Sequence, residues 1–217
     1  MKIKKIILAL DVYSLEKAKK LVEDTSPYID IYKLGPILFL RFSKEVIKII
    51  KDNGKKIFLD LKFHDIPNTV RHSVESAKEL GIFSLTVHAV GGEEMLRAAT
   101  QVKNKPKIWA VTTLTSQTAT PKEVIKRAKF AKFCGVDGVI SSPLEVALIK
   151  KECGEKFDVA VPGIRLSKNH DDQKRIASPE TAINAGADFI IIGRPILEAI
   201  NPADVTKNIY ENINMIK

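Results

Sequence analysis

Short apolar runs alternate with amphipathic stretches along nearly the whole chain. Ile6-Ile7-Leu8-Ala9-Leu10 closes on Asp11 and predicts a strand. Ser14 then N-caps a predicted helix to about Thr25, with Leu15, Ala18, Leu21 and Val22 at helical spacing. A second strand falls near Ile29–Leu34, and a helix around Ser43–Lys51 follows, stopped by Asn53-Gly54. The third strand enters at Ile57, and its helix runs from about Asn68 to Leu80. Ile82 to His88 predicts a fourth strand, with a helix to about Val102, and Lys107–Thr113 a fifth. Thr120-Pro121-Lys122-Glu123 is a capping box for a helix reaching Phe133. Gly138-Val139-Ile140 predicts the sixth strand, and Ser142-Pro143 caps a helix to about Lys151. Phe157–Val161 is the seventh strand and Asp188–Ile192 the eighth. Ser178-Pro179 and Asn201-Pro202 start the last two helices.

Eight strands each followed by a helix, with no change of composition along the chain, predict one (β/α)8 TIM barrel over residues 1–217. Asp11, Lys33, Asp60, Lys62 and His88 all fall at strand C-terminal ends, the face on which such barrels build active sites. An open doubly wound sheet is the alternative, but it gives no reason for so many charged strand ends. From about 163 to 177 the chain is polar and aperiodic. It follows the seventh strand, so it reads as a lid.

The richest stretch is Phe58 to Thr69. In an extended strand Asp60 and Lys62 share one face, with Ile57, Leu59 and Leu61 on the other. Pro67 obliges the strand to give way near Asp65. An acid, a base and an acid at a buried strand end are costly to desolvate unless they pair. With Asp11 and Lys33 they form alternating charges from three adjacent strands, able to hold an ammonium in a fixed position. Such a cation stabilises negative charge developing on carbon and can donate the proton that quenches it. The plainer reading is an ion-pair network that ties strands together.

Composition narrows the rest. The chain has 217 residues, 45% hydrophobic and 28% charged, with a formal charge of 35 − 26 = +9. The lysines are dispersed, no basic run reaches five, and aromatics are only 6%, which speaks against a nucleic-acid-binding surface. A phosphorylated substrate would be drawn in by such a field. Cys134 and Cys153 have no metal or redox spacing, and the basic start leads into an apolar run too short for export or for a membrane span. A reduced cytoplasmic protein is expected.

Weaker motifs have ordinary alternatives. Gly193-Arg194-Pro195 after the eighth strand is similar to a phosphate cradle, or is a plain turn. Thr115 and Ser116 offer hydroxyls to a polar ring edge, as many loops do. His88 reads as a core histidine and Trp109 as packing. His64 and His72 show no metal-ligand clustering.

Taken together, the residues resemble the orotidine 5′-phosphate decarboxylase family across essentially the whole chain. The most specific part is Asp60-Leu-Lys62-Phe-His-Asp65-Ile66-Pro67-Asn68-Thr69. Lys33-Leu-Gly35, His88-Ala-Val-Gly91-Gly92, Leu114-Thr115-Ser116, Pro162-Gly163-Ile164-Arg165, Asp172-Gln173-Lys174-Arg175 and Gly193-Arg194-Pro195 support it. The resemblance implies conversion of orotidine 5′-phosphate (OMP) to UMP and CO2 without metal or organic cofactor. It implies Lys62 as the acid that protonates C6 and Asp60 against the substrate carboxylate, with Lys33 and Asp65 completing the charged array. Asp11 and Lys33 would hold ribose hydroxyls and Ser116 the pyrimidine edge. Ile66 and Pro162 would line the CO2 pocket, and Gln173, Gly193 and Arg194 the phosphate. It further implies a homodimer in which Asp65 and Thr69 reach the partner's site.

The nearest rival is a metal-dependent sugar-phosphate decarboxylase or aldolase of the same suprafamily, which shares the Asp-x-Lys-x-x-Asp core. Those enzymes place a metal-binding carboxylate where this chain has Lys33. A catalytically dead scaffold is hard to reconcile with intact Asp60, Lys62 and Asp65.

Overall fold

The computed structural model describes residues 5–166 and 177–216. Its strands are β1 (Ile6–Ala9), β2 (Ile31–Leu34), β3 (Lys56–Phe63), β4 (Ser84–His88), β5 (Lys107–Val111), β6 (Gly138–Ile140), β7 (Asp158–Val161) and β8 (Phe189–Ile192). All pair in parallel and in sequence order, and β8 closes back onto β1. The helices are α1 (Leu15–Thr25), α2 (Pro36–Asp52), α3 (Pro67–Glu79), α4 (Gly92–Thr100), α5 (Pro121–Phe133), α6 (Val146–Cys153), α7 (Pro179–Asn184), α8 (Arg194–Leu197) and α9 (Pro202–Asn214). The expected (β/α)8 TIM barrel is therefore the fold.

Strand alternation sorts the side chains into two cores. Ile6, Leu8, Ile57, Leu59, Leu85 and Val87 pack outward against the helices. Ile7, Ala9, Ile31, Phe58, Trp109, Val111, Ala160, Phe189 and Ile191 fill the barrel. Trp109 is fully buried there, 4.8 Å from the Phe58 ring and 5.3 Å from Phe189 between centroids. These rings plug the barrel below the catalytic face, so ligands enter only from the strand C-terminal side.

The caps follow local chemistry. The side chains of Ser14, Ser178 and Asn201 each accept an N–H of the first turn, and Thr120 and Glu123 form both halves of the capping box. Two differences from the sequence expectation stand out. α2 starts at Pro36, not near Ser43, and kinks at Phe42 (φ −144°, ψ 37°). Pro36 at the first helical position starts it, but the run Ile37-Leu38-Phe39-Leu40 has no helical period and hides the first turns. After β6, a 3₁₀ turn over Pro143–Glu145 precedes α6. The lid expected at 163–177 falls mostly on residues 167–176, which lie outside the described residues. At its described ends Ile164 bridges Ala177.

Candidate active site

β3 carries the centre of the site. Asp60 follows Phe58 on the inward face and is only 8% exposed. Regular alternation then breaks: Leu59 pairs with Leu85 while Phe63 pairs with Val87, so four steps along β3 match two along β4. Within this irregularity Lys62 takes a left-handed backbone conformation (φ 53°). Few non-glycine residues adopt it, and it costs energy that surrounding contacts must supply. Thr86 supplies one, since its Oγ1 accepts the Lys62 N–H at 2.9 Å. Lys62 and Asp60 thus meet, but through a bulge rather than through the extended strand that the sequence predicts.

The charges are mutually satisfied. Lys62 Nζ donates to Asp60 Oδ2 at 2.9 Å, and Lys33 Nζ lies 3.6 Å from the same oxygen. Lys33 Nζ also donates to Asp11 Oδ2 at 3.1 Å. Thr86 Oγ1 donates to Asp60 Oδ1 at 2.9 Å. Burial works to raise the Asp60 pKa, but Lys33, Lys62 and the two hydrogen bonds outweigh it and hold the carboxyl below its ordinary value. An ionised carboxylate therefore stands between two ammonium groups at the barrel mouth. Gly35 keeps the array close: a Cβ there would lie 3.2 Å from Asp11 Oδ1.

Two adjoining cavities open onto this array. The larger, about 650 Å³, is bordered by Asp11, Lys33, Pro162, Arg165, Gly193 and Arg194. The smaller, about 160 Å³, holds Asp60 and Lys62 against Phe58, Val111, Ile140 and Ile191, and Thr115 and Ser141 also line it. Lys33, Pro162 and Ile191 border both. Their combined size suits a drug-sized or nucleotide-sized ligand.

Not every expected site residue meets the array in a single chain. Asp65, Ile66 and Thr69 are exposed, and Asp65 Oδ1 accepts its neighbour's Ile66 N–H at 2.6 Å. Asp65 and Ile66 border a separate hollow with His64 and Glu93, and Thr69 another with Phe39 and His72. Ser116 is exposed, and Thr115 rather than Ser116 borders the smaller cavity. Gln173 lies outside the described residues. His88, expected in the core, is half-buried 5.5 Å from the His64 ring. Burial, then His64 and Lys62, lower its pKa against the opposing pull of Asp60. Sequence reasoning missed Thr86. Its signal was a polar residue between Leu85 and Val87 on the inward face of an apolar strand. Among the described residues no group of three or more His, Cys, Asp or Glu is arranged to hold a metal ion, and no helix is long and apolar enough to cross a membrane.

Fold and site together define a (β/α)8 barrel with fixed charges gathered at its strand C-terminal mouth, where barrel enzymes build their active sites. A sequence model of the orotidine 5′-phosphate decarboxylase / HUMPS family matches residues 4–209, and the chain belongs to that family. It is 42% identical over 226 residues to an orotidine 5′-phosphate decarboxylase of Legionella pneumophila (strain Corby), covering 96% of this chain and 99% of that one. A namesake from Citrifermentans bemidjiense is 40% identical, covering 97% and 96%. The crystal structure of orotidine 5′-phosphate decarboxylase from Lactobacillus acidophilus superposes with a TM-score of 0.84 at 35% identity, covering 97% of this chain and 99% of that one.

Proposed function

We propose that this chain decarboxylates orotidine 5′-phosphate to UMP and CO2, the closing step of UMP synthesis, in the cytoplasm. The observation that carries the reading is the Lys62 ammonium held 2.9 Å from an ionised, buried Asp60 in the smaller of two adjoining cavities that together suit a nucleotide. The C6–carboxylate bond breaks, its electron pair stays on C6, and CO2 departs. Lys62 donates a proton to C6 and recovers one from solvent, so one proton is consumed per turnover. A preorganised ammonium in a dry site stabilises the carbanion character at C6 without reorganisation. Asp60 lies against the substrate carboxylate, and its fixed position aims Lys62. Asp11 and Lys33 hold the ribose hydroxyls, and Ser116 reads the pyrimidine edge. Arg194 and Gly193 bind the phosphate together with Gln173, which lies outside the described residues. The phosphate is remote from C6, so its binding energy can be spent on positioning the reacting end of the substrate. Pro162 and Ile66 wall the pocket that CO2 enters. Asp65 and Thr69 reach the site of a second subunit, in keeping with their exposure in one chain.

The family name also spans metal-dependent sugar-phosphate enzymes. Lys33 favours the cofactor-free reading, because its ammonium occupies the space between Asp11 and Asp60 where a divalent cation would have to sit. The test is the fall in OMP absorbance in EDTA for wild type beside Lys62→Ala. Metal-free turnover that vanishes in the variant supports the reading. No turnover in EDTA, with activity on a sugar phosphate restored by Mg2+, overturns it.

A further inference from the structure

We infer that Ser141 contacts the substrate directly, its hydroxyl hydrogen-bonding a polar atom on the edge of the pyrimidine ring seated in the smaller cavity. This rests on the pyrimidine-nucleotide reading above and adds a residue to its binding site. Ser141 follows β6 and borders the smaller cavity together with Asp60, Lys62, Ile140 and Pro162. It is 2% exposed, and its Oγ has no hydrogen-bond partner among the described residues.

Such an orphan is unusual. A buried hydroxyl without a partner forfeits the hydrogen bonds it made to water, and native structures avoid this. The surrounding hydroxyls obey the rule. Ser142 Oγ donates to Glu145 Oε2 at 2.7 Å, Thr112 Oγ1 to the Ile140 carbonyl at 3.0 Å, and Thr86 Oγ1 to Asp60. Ser84 Oγ is the other buried serine hydroxyl without a partner among the described residues, and it sits at the opposite, N-terminal end of β4. Ser141 differs by bordering the space that holds Asp60 and Lys62, where a ligand's reacting end must lie. A serine hydroxyl turns among three staggered positions at little cost, so the cavity's occupant can offer the partner that the protein does not.

The cavity also says which part of the substrate that is. About 160 Å³ is too small for a whole nucleotide, and apolar faces from Phe58, Val111, Ile140 and Ile191 suit a flat ring. Phosphate belongs in the larger cavity, beside Arg165 and Arg194. A pyrimidine ring brings carbonyls and an N–H into this apolar chamber, and each needs a partner once dehydrated. Serine both donates and accepts, so it serves either kind of group.

The test compares wild type, Ser141→Ala and Ser141→Cys by calorimetric binding of UMP and of ribose 5-phosphate, with steady-state turnover of OMP alongside. Ser141→Ala is expected to weaken UMP about five- to tenfold and to raise the KM for OMP similarly, with Ser141→Cys between the two. Ribose 5-phosphate affinity and the melting temperature should not fall, since an unpartnered hydroxyl contributes nothing to the unliganded fold. Unchanged UMP affinity overturns the inference, as does an equal loss for both ligands or no UMP binding by wild type. Normal OMP turnover with an indifferent Ser141 would sink this inference alone. Ser141-dependent UMP binding without OMP turnover would sink only the decarboxylase reading.

Discussion

At the scale of single residues, Asp60 shows opposing energies with a clear winner. Burial is the largest influence and favours the neutral acid, yet two ammonium groups and two hydrogen bonds keep it ionised. Its lowered pKa means that the native state binds fewer protons than the unfolded chain near and below 3.8. The stability it contributes is complete above that value and is lost as pH falls through the folded pKa. Asp60→Asn leaves Lys33 and Lys62 facing one another, and should lower stability at pH 7 by about 2 kcal/mol. That is less than a fully buried pair would cost, because the Lys62 side chain is 34% exposed. Urea unfolding should show the gap to wild type closing below pH 4. His88 works in the opposite chemistry. Its pKa is lowered from 6.5, chiefly by burial and then by His64 and Lys62. Unfolding therefore takes up a proton between the lowered value and 6.5, so wild-type stability falls as pH drops through that window. His88→Gln should flatten that fall, and an unchanged pH profile would refute the account. The charged members of the array were legible because charge at a strand end is conspicuous. Thr86 was not, because threonine in a strand is also what β-propensity alone would place there.

At the scale of elements, β3 shows what pattern reading captures and what it loses. Ile57 and Leu59 turn to the helices and Phe58 and Asp60 turn inward, as period two requires. The left-handed Lys62 and the slipped register to β4 leave no trace in that period. They arise from Thr86 and the neighbouring strand, which are distant in sequence. The far end of the barrel is stapled by aspartates that precede or begin strands. Asp188 accepts the Val159 N–H at 2.7 Å and pairs with buried Lys150 at 2.6 Å. Lys150 Nζ also donates to the carbonyls of Glu155 and Phe157 at 2.9 and 3.0 Å. Lys150→Met keeps most of the side-chain volume but strands these acceptors, and should cost about 3 kcal/mol in chemical denaturation with OMP turnover unchanged at 25 °C. Gly138 tests the same end sterically. A Cβ there would lie 2.4 Å from the Asp158 carbonyl oxygen, a backbone atom that cannot swing aside. Gly138→Ala should lose stability at the upper end of about 1–3 kcal/mol, and a neutral melting temperature would show that β6 and β7 are looser than they look.

At the scale of the molecule, the barrel expected from the sequence is the barrel of the structure, since alternating short strands and helices leave few topologies open. On the proposed shared site, Asp65 of a second copy completes the charged array. Asp65, Ile66 and Thr69 come from the signature's second half, yet all three are exposed and border hollows apart from the cavity that holds Lys62. Phe39, Leu61 and Phe63 line one hollow, and exposed Ile66 and buried Met95 line the other among His64, Asp65, Glu93 and Glu94. In the proposed homodimer, each Asp65 serves the other subunit's Lys62. Shared sites have a measurable signature. Lys62→Ala and Asp65→Ala homodimers should each be nearly inactive. When they are mixed and allowed to exchange, half the dimers become hybrids. Each hybrid contains one site with both defects and one site with none, so activity should recover to roughly a quarter of wild type. If Asp65 serves the site of its own chain, every site in the mixture keeps one defect and no activity returns at any mixing ratio. Subunit exchange followed by OMP turnover distinguishes these outcomes directly.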